Sequence, residues 1–324
     1  MTPPTPDFAK RGPHAVGVLE TEIRSPADPI DPTRQLPTEI WYPALPQPRS
    51  AKANPAAAAA SHPLGFPYQA SMGLPPLPAP APVIAFSHGN SGFRQQSTFL
   101  TTHLASWGFV VIAPDHVGNT FNEMLALTTD EERREVHLRA RAQRPQDIAA
   151  VIHSVLDEGH GRDRLPPIDS SSLGVLGHSY GGWTSLKIPA LEPRVRAIGS
   201  LAPVSEPFVG RKAFGPDELP LANCVETLVL AGRDDVLVDL ETSIRPLCER
   251  LGPSSRLEII EGADHFHFCD GIELLHKMHE NNPRPNQLRP TRPIHELRSE
   301  EEMHTLVNER VTRFFQHTLG VHES

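Results

Sequence analysis

The stretch VLGHSYGGW, residues 175–183, sets a serine between two glycines directly behind an apolar run. A five-position G-x-S-x-G pattern also arises by chance in turns, where Gly and Ser abound, so its meaning depends on the flanking chain. Before it, SLGVLGHS (172–179) reads as a buried strand, and after it Trp183, Leu186 and Ile188 have helical spacing. A strand that reverses sharply into a helix needs small neighbours, which Gly177, Gly181 and Gly182 supply. Such an elbow lifts the hydroxyl of Ser179 out of the sheet and sets the backbone N–H of Tyr180 at the positive end of a helix. Ser179 is therefore the candidate nucleophile.

Outward from the elbow, short apolar runs alternate with helical patterns. VIAFSHG (83–89), FVVIAPDH (109–116), AIGSLAP (197–203), ETLVLAG (226–232) and RLEIIEG (256–262) read as strands. Between them lie QQSTFLTTHLASW (95–107), RPQDIAAVIHSVLDE (144–158) and LETSIRPLCERL (240–251), and a final helix carries Met303, Val307, Val311, Phe314 and Phe315. This alternation predicts an α/β fold: a mostly parallel sheet covered on both faces by helices, with its chemistry at the carboxyl edge of the strands. Residues 15–23 and 38–42 precede it as a hairpin-like antiparallel start. One domain is expected over 1–324.

Three segments break the pattern. Residues 43–82 are rich in Pro and Ala and read as an excursion with polyproline character and no regular ladder. Residues 116–146 and 203–221 read as cover segments over the carboxyl edge. Phe121, Phe208 and Phe214, with Met124 and Leu125, are placed either to line an acyl pocket or to cement that cover to the body.

A serine hydroxyl is a poor nucleophile unless a base takes its proton and a third group orients the base. In LAGRDDVLVD, Asp234 and Asp235 stand just past one strand; in EGADHFHF, His265 stands just past the next. We assign His265 as the base in preference to His267, which is carried deeper into the following segment, and Asp235 as its acid, leaving Asp234 to hold the loop or face solvent. For the oxyanion, the loop FSHGNSGFR (86–94) turns at Gly89, which makes the backbone N–H groups of Asn90 and Tyr180 the two candidate donors. His88, in that loop, is expected to be structural.

Composition sets the outer limits. The formal net charge is -9 and no Lys/Arg-rich run occurs, which argues against nucleic acid or an anionic membrane as partner. The N-terminus lacks an apolar signal core and no run of about 18 apolar residues follows, so a cytoplasmic protein is expected. Cys224, Cys248 and Cys269 are odd in number and widely spaced, suggesting neither disulfides nor a thiolate metal site. His265, His267, Asp264 and Asp270 do not form a convincing ligand set, so no metal and no cofactor are expected.

The serine elbow, the loop HGNSG with its FR continuation, WGFVVIAPDHVGNT (107–120), and the opening VGVLETEIRSPADP with LPTEIWYPA together resemble one branch of the α/β-hydrolases. That branch contains the platelet-activating-factor acetylhydrolases and the bacterial predicted dienelactone hydrolases. The resemblance covers most of the chain apart from the Pro/Ala excursion and the polar tail. It implies the α/β-hydrolase fold and hydrolysis of small-molecule carboxylic esters with small acyl groups through an acyl-enzyme. Acyl transfer from the same intermediate, or a binding protein on the same fold, are the alternatives. Two departures matter. Dienelactone hydrolases carry cysteine where this chain has Ser179, and the acetylhydrolases take their acid after the sixth strand, where SLAPVSEPF offers Glu206.

Overall fold

The computed structural model describes residues 6–46, 59–205, 212–219, 221–222, 224–281 and 287–320. Its strands are β1 (Ala15–Arg24), β2 (Gln35–Ala44), β3 (Ala59–Ser61), β4 (Pro67–Met72), β5 (Ala81–Ser87), β6 (Val110–Pro114), β7 (Ile168–His178), β8 (Val195–Leu201), β9 (Glu226–Gly232) and β10 (Ser255–Ile260). They form one sheet in the order β10-β9-β8-β7-β5-β6-β2-β1-β4-β3. From β6 through β5, β7, β8 and β9 to β10 every pairing is parallel. β2 joins β6 antiparallel, and β1 joins β2 in the predicted hairpin.

Both faces are covered because the central strands are apolar on both sides. In β5, Val83 and Ala85 belong to one core while Ile84 and Phe86 belong to the other. The first core receives α3 (Asp130–Leu156), α4 (Tyr180–Lys187) and α5 (Arg245–Leu251) through Ile148, Val151, Trp183, Leu186 and Leu247. The second receives α1 (Thr98–Ser106) and α7 (Glu300–Leu319) through Leu100, Leu104, Val307, Val311 and Phe315. A short α2 (Phe121–Leu125) and α6 (Ile272–Asn281) complete the helices used below.

Two expectations are corrected. Part of the Pro/Ala excursion is ladder: β4 runs parallel to β1, with Gly17 opposite Ser71, and β3 pairs antiparallel with β4. Pro67 stands at the first position of its strand, where a missing N–H costs the ladder least, and Tyr68 and Ala70 alternate into the core. Residues 47–58 lie outside the described residues. The cover 116–146 and the following amphipathic helix are not separate elements. α3 runs unbroken for 27 residues with Pro145 inside it, started by a reciprocal cap between Thr129 and Glu132 and three acidic residues at its positive end. The described parts of the second cover, 203–205, 212–219 and 221, contain no helix or strand.

The elbow depends on backbone contact. A Cβ on Gly177 would lie 2.1 Å from the carbonyl oxygen of Gly181, and one on Gly181 would lie 1.9 Å from that of Ser87 at the end of β5. We expect Gly181→Ala to destabilise the fold by more than about 4 kcal/mol, since backbone rather than a flexible side chain would have to yield; chemical denaturation measures it. A second expectation tests the tie between the excursion and the body. The Tyr68 hydroxyl donates to Glu39 Oε1 at 2.5 Å, and Gln95 Nε2 donates to the other oxygen. Burial pushes this fully enclosed carboxyl up to about 7. Tyr68→Phe removes one of its donors and should cost about 1–3 kcal/mol in the same assay.

Candidate functional site

Ser179 sits between β7 and α4 with φ 57° and ψ −116°, a left-handed conformation that a non-glycine residue keeps only under constraint. Its N–H donates to Leu201 O at 2.8 Å, and its carbonyl accepts from Trp183 N and Val204 N. β8 and α4 thus hold the strained residue from both sides. His265 opens a 3₁₀ turn (His265–Phe268) after β10. Its Nε2 lies 2.8 Å from Ser179 Oγ and its Nδ1 lies 2.7 Å from Asp235 Oδ2. The other oxygen of Asp235 accepts from Leu237 N and Val238 N, both at 2.8 Å. The carboxylate is therefore fixed by the loop that the sequence places after β9. All three residues are buried.

The rivals point elsewhere. His267 reaches Asp264 Oδ1 at 2.7 Å and faces Arg298 O at 3.2 Å. Asp234 pairs with Arg292 at 3.0 Å and accepts from Gly262 N, so it holds the loop. Glu206 lies outside the described residues.

The orientation of the 88–92 loop follows from its hydrogen bonds. His116 N–H donates to His88 Nε2 at 3.0 Å, so His88 carries its proton on Nδ1, which donates to Gly89 O at 2.7 Å. Burial and the nearby Arg144 hold this imidazole well below its ordinary range, in the neutral form that this pattern needs. Gly92 N also donates to Gly89 O. In a trans peptide the N–H points opposite to the C=O. With the Gly89 carbonyl turned toward His88 and Gly92, the N–H of Asn90 is turned away from them. Gly89 itself lies against Ser179: a Cβ there would be 3.5 Å from Ser179 Cβ. Tyr180 is the first residue of α4, where N–H groups point out of the helix end.

Two residues of the site were not singled out in the sequence. Gln96 accepts from Gly89 N with Oε1 and donates to His178 Nδ1 with Nε2, at 2.8 and 3.0 Å. His178 then donates from Nε2 to His265 O at 2.9 Å. One amide and one imidazole thereby tie the 88–92 loop to the His265 turn. The available signal was a pair of buried polar residues, one at the foot of a helix and one inside the G-x-S-x-G pattern.

Above Ser179 lies an open cleft walled by Leu64, Phe93, Phe121, Phe266, Leu275 and Met278 among others. Leu64, Leu274 and Met278 leave apolar surface exposed at its mouth. Phe121 lines this cleft and Phe214 does not: Phe214 is 1% exposed and packed beneath Lys187, because Trp183 Nε1 binds Ala213 O and draws that segment onto α4. It cements the cover to the body, and Phe208 lies outside the described residues. The titratable wall residues His62 and Asp270 are engaged. Asp270 accepts from Thr98 N, Thr98 Oγ1 and Phe99 N at the start of α1, with burial pushing its carboxyl up to about 6. His62 faces Gln95 O at 2.9 Å, and burial lowers it from its ordinary value. Among the described residues no group of three His, Cys, Asp or Glu side chains is placed to hold a metal ion. No helix among them is long and apolar enough to cross a membrane.

α6, which forms one wall of the cleft, is tied to the His265 turn by an ion pair. Asp264 Oδ2 lies 2.6 Å from His276 Nδ1, and Glu280 Oε1 faces the other ring nitrogen at 3.3 Å. The Asp264 contact raises His276 above its ordinary 6.5, and hydrogen bonds from His267 and His276 hold Asp264 well below the usual carboxylate range. A raised histidine stabilises fully below its unfolded value and loses that contribution as pH rises through the folded one; a lowered aspartate loses it as pH falls. The pair is therefore at full strength between about pH 4 and 6.5. The drop in Tm on His276→Gln should be larger at about pH 6 than at about pH 9.

The comparisons with known proteins come to the same fold. Residues 68–150 match the family model described as platelet-activating factor acetylhydrolase, isoform II. Lipase 1 of Moraxella sp. (strain TA144) is 27% identical over 188 residues, 57% of this chain and 48% of that protein. The platelet-activating factor acetylhydrolase of Canis lupus familiaris is 28% identical over 149 residues, 36% of this chain and 33% of that protein. Cutinase 1 of Thermobifida cellulosilytica is 26% identical over 185 residues, 56% of this chain and 60% of that protein. The chain thus spans between a third and three fifths of the length of these relatives. The solved structure of a ferulic acid esterase from Streptomyces cinnamoneus superposes with a TM-score of 0.69 at 23% identity, covering 98% of this chain and 93% of that one. By its parallel sheet, its elbow and these likenesses, the chain has the α/β-hydrolase fold and is similar, over residues 68–150, to the platelet-activating-factor acetylhydrolases.

Proposed function

We propose that this protein is a serine hydrolase of neutral carboxylic esters with small acyl groups. The observation that carries the reading is the hydrogen-bonded series from Ser179 Oγ to His265 Nε2 and from His265 Nδ1 to Asp235 Oδ2, at 2.8 and 2.7 Å, at the floor of an apolar cleft. In this reading Ser179 Oγ attacks the ester carbonyl carbon as His265 Nε2 takes its proton. Asp235 holds the imidazole in the tautomer with its proton on Nδ1 and stabilises the imidazolium. The oxyanion accepts from the N–H groups of Asn90 and Tyr180. Collapse breaks the ester bond, and the leaving alkoxide takes the proton from His265. A water molecule, deprotonated by the same nitrogen, then hydrolyses the acyl-enzyme and returns the proton to Ser179.

The cleft favours a neutral substrate because its walls are chiefly apolar and its ionisable groups are engaged with protein partners. The preference for a small acyl group rests on the likeness to proteins whose name specifies acetyl removal. The net charge of -9 favours dissolved esters over aggregated anionic lipid.

Ser179→Ala should retain the fold and lower kcat by more than about 10⁴-fold, and a fluorophosphonate should label Ser179 of the parent and no other serine. Asp235→Asn should lower kcat about 10³ to 10⁴-fold through the wrong tautomer. Rates on p-nitrophenyl esters of increasing acyl length should fall beyond the shortest members. A maximum at long chains would overturn the acyl-size part of the reading, and labelling at another serine would overturn the whole.

A further inference from the structure

A single cation lies behind both candidate oxyanion donors. Arg144, on α3, is fully buried, and although burial pushes its guanidinium down to about 10 it stays charged at neutral pH. Nη1 donates to Asn119 Oδ1 at 2.7 Å, and Asn119 Nδ2 donates to Asn90 Oδ1 at 2.9 Å. Nη2 donates to the carbonyl of His88, so the peptide between His88 and Gly89 is gripped on its oxygen side by Arg144 and on its N–H side by Gln96. Nε donates to Thr184 Oγ1 at 3.3 Å, and Thr184 Oγ1 donates to Tyr180 O at 2.9 Å. The guanidinium carbon also stands 4.5 Å from the centre of the Tyr180 ring.

One planar fork therefore touches the loop that carries Asn90 and the helix start that carries Tyr180. These two segments follow different strands, β5 and β7, so chain connectivity alone does not set the spacing of their N–H groups. The backbone at this position is itself disfavoured, because a residue preceding proline is pushed away from helical geometry, and Arg144 precedes Pro145 inside α3.

We propose that Arg144 is the positioning residue of the oxyanion hole: without touching substrate, its guanidinium sets the spacing and direction of the Asn90 and Tyr180 N–H groups. The proposal rests on the ester-hydrolase reading of the same site. Lysine at this position keeps the charge but offers a point donor on a flexible stem in place of the rigid fork. Asn119→Ala cuts only the arm to Asn90.

The test uses the full chain, p-nitrophenyl acetate as substrate and phenylboronic acid as a probe whose tetrahedral adduct on Ser179 occupies the oxyanion position. For Arg144→Lys we expect kcat to fall about 30 to 100-fold with KM within about threefold, and the boronic acid Ki to rise by a similar factor, somewhat less than removal of a donor outright. Asn119→Ala should show the same pattern at about fivefold. A folded Arg144→Lys protein with kcat and Ki within about twofold of the parent, or a loss confined to KM, would overturn the proposal. If that variant does not fold, as judged by Tm, Asn119→Ala decides on the same criteria. A parent that hydrolyses no ester and takes up no fluorophosphonate at Ser179 would instead remove the function reading itself, and this proposal with it.

Discussion

The carbonyl of Ser87 and the α-carbon of Gly181 approach so closely that no side-chain atom fits between them. This contact places the first turn of α4 against the end of β5, and the rest of the site follows from it. Because β5 and β7 are parallel neighbours, their carboxyl ends emerge side by side, one continuing into the 88–92 loop and the other into the strained serine. Had either strand ended a residue later, the alternation of side chains across the sheet would have sent its functional residue to the opposite face. The register Ser87 opposite Gly177 therefore fixes where Ser179 stands relative to the 88–92 loop before any side chain is considered.

Behind this edge lies a buried set of charges that a purely apolar core would not need. Arg34 Nη1 bonds Asp28 at 2.7 Å and Asp147 at 2.6 Å, and Asp147 also meets His116 Nδ1 at 2.8 Å. His116 in turn bonds Ser87 Oγ with Nε2. Burial pushes Asp147 up to about 7 even with Arg34 beside it, so the cluster is held at some cost. Its function is local: several strand ends converge here, and each brings backbone groups that must find partners away from water. Arg34 donates from Nη2 to Val117 O past the end of β6, and Asp28 accepts from Ile30 N and Asp31 N ahead of β2, which fixes the directions of those groups. Apolar packing would leave those directions free.

How much of this was legible in the sequence depended on the range of the signal. The elbow, the order Ser179, Asp235, His265 and the strands that bear them could be read because each rests on a short local pattern: an apolar run, a glycine where the backbone must turn, a polar residue at the strand's end. Tyr68 and Ala70 were hidden because their burial alternates inside a Pro-rich composition, and composition dominated the reading. The helix expected over 144–158 begins instead at Asp130, because the cap at Thr129 and the buried partners of Arg144 carry it through Pro145. Phe214 could not be assigned to pocket or core, since the Trp183 contact that decides it comes from a distant segment. Gln96 and His178 went unread for the same reason: their importance lies in bonds to residues far along the chain, which no spacing announces.

The two sides of the cleft differ in how firmly they are built in. Phe121 follows the loop that shares Asn119 with Arg144, whereas Leu274, Leu275 and Met278 stand on α6, fastened by the Asp264 pair and by Glu300 at its first turn. Leu274 and Met278 are nearly half exposed, and exchanging such residues usually changes stability by less than about 0.5 kcal/mol. α6 is thus the face on which descendants of this protein can drift. Its exposed side chains can be traded for larger, smaller or polar ones, which reshapes the cleft while leaving Ser179 and the bonds that orient it in place.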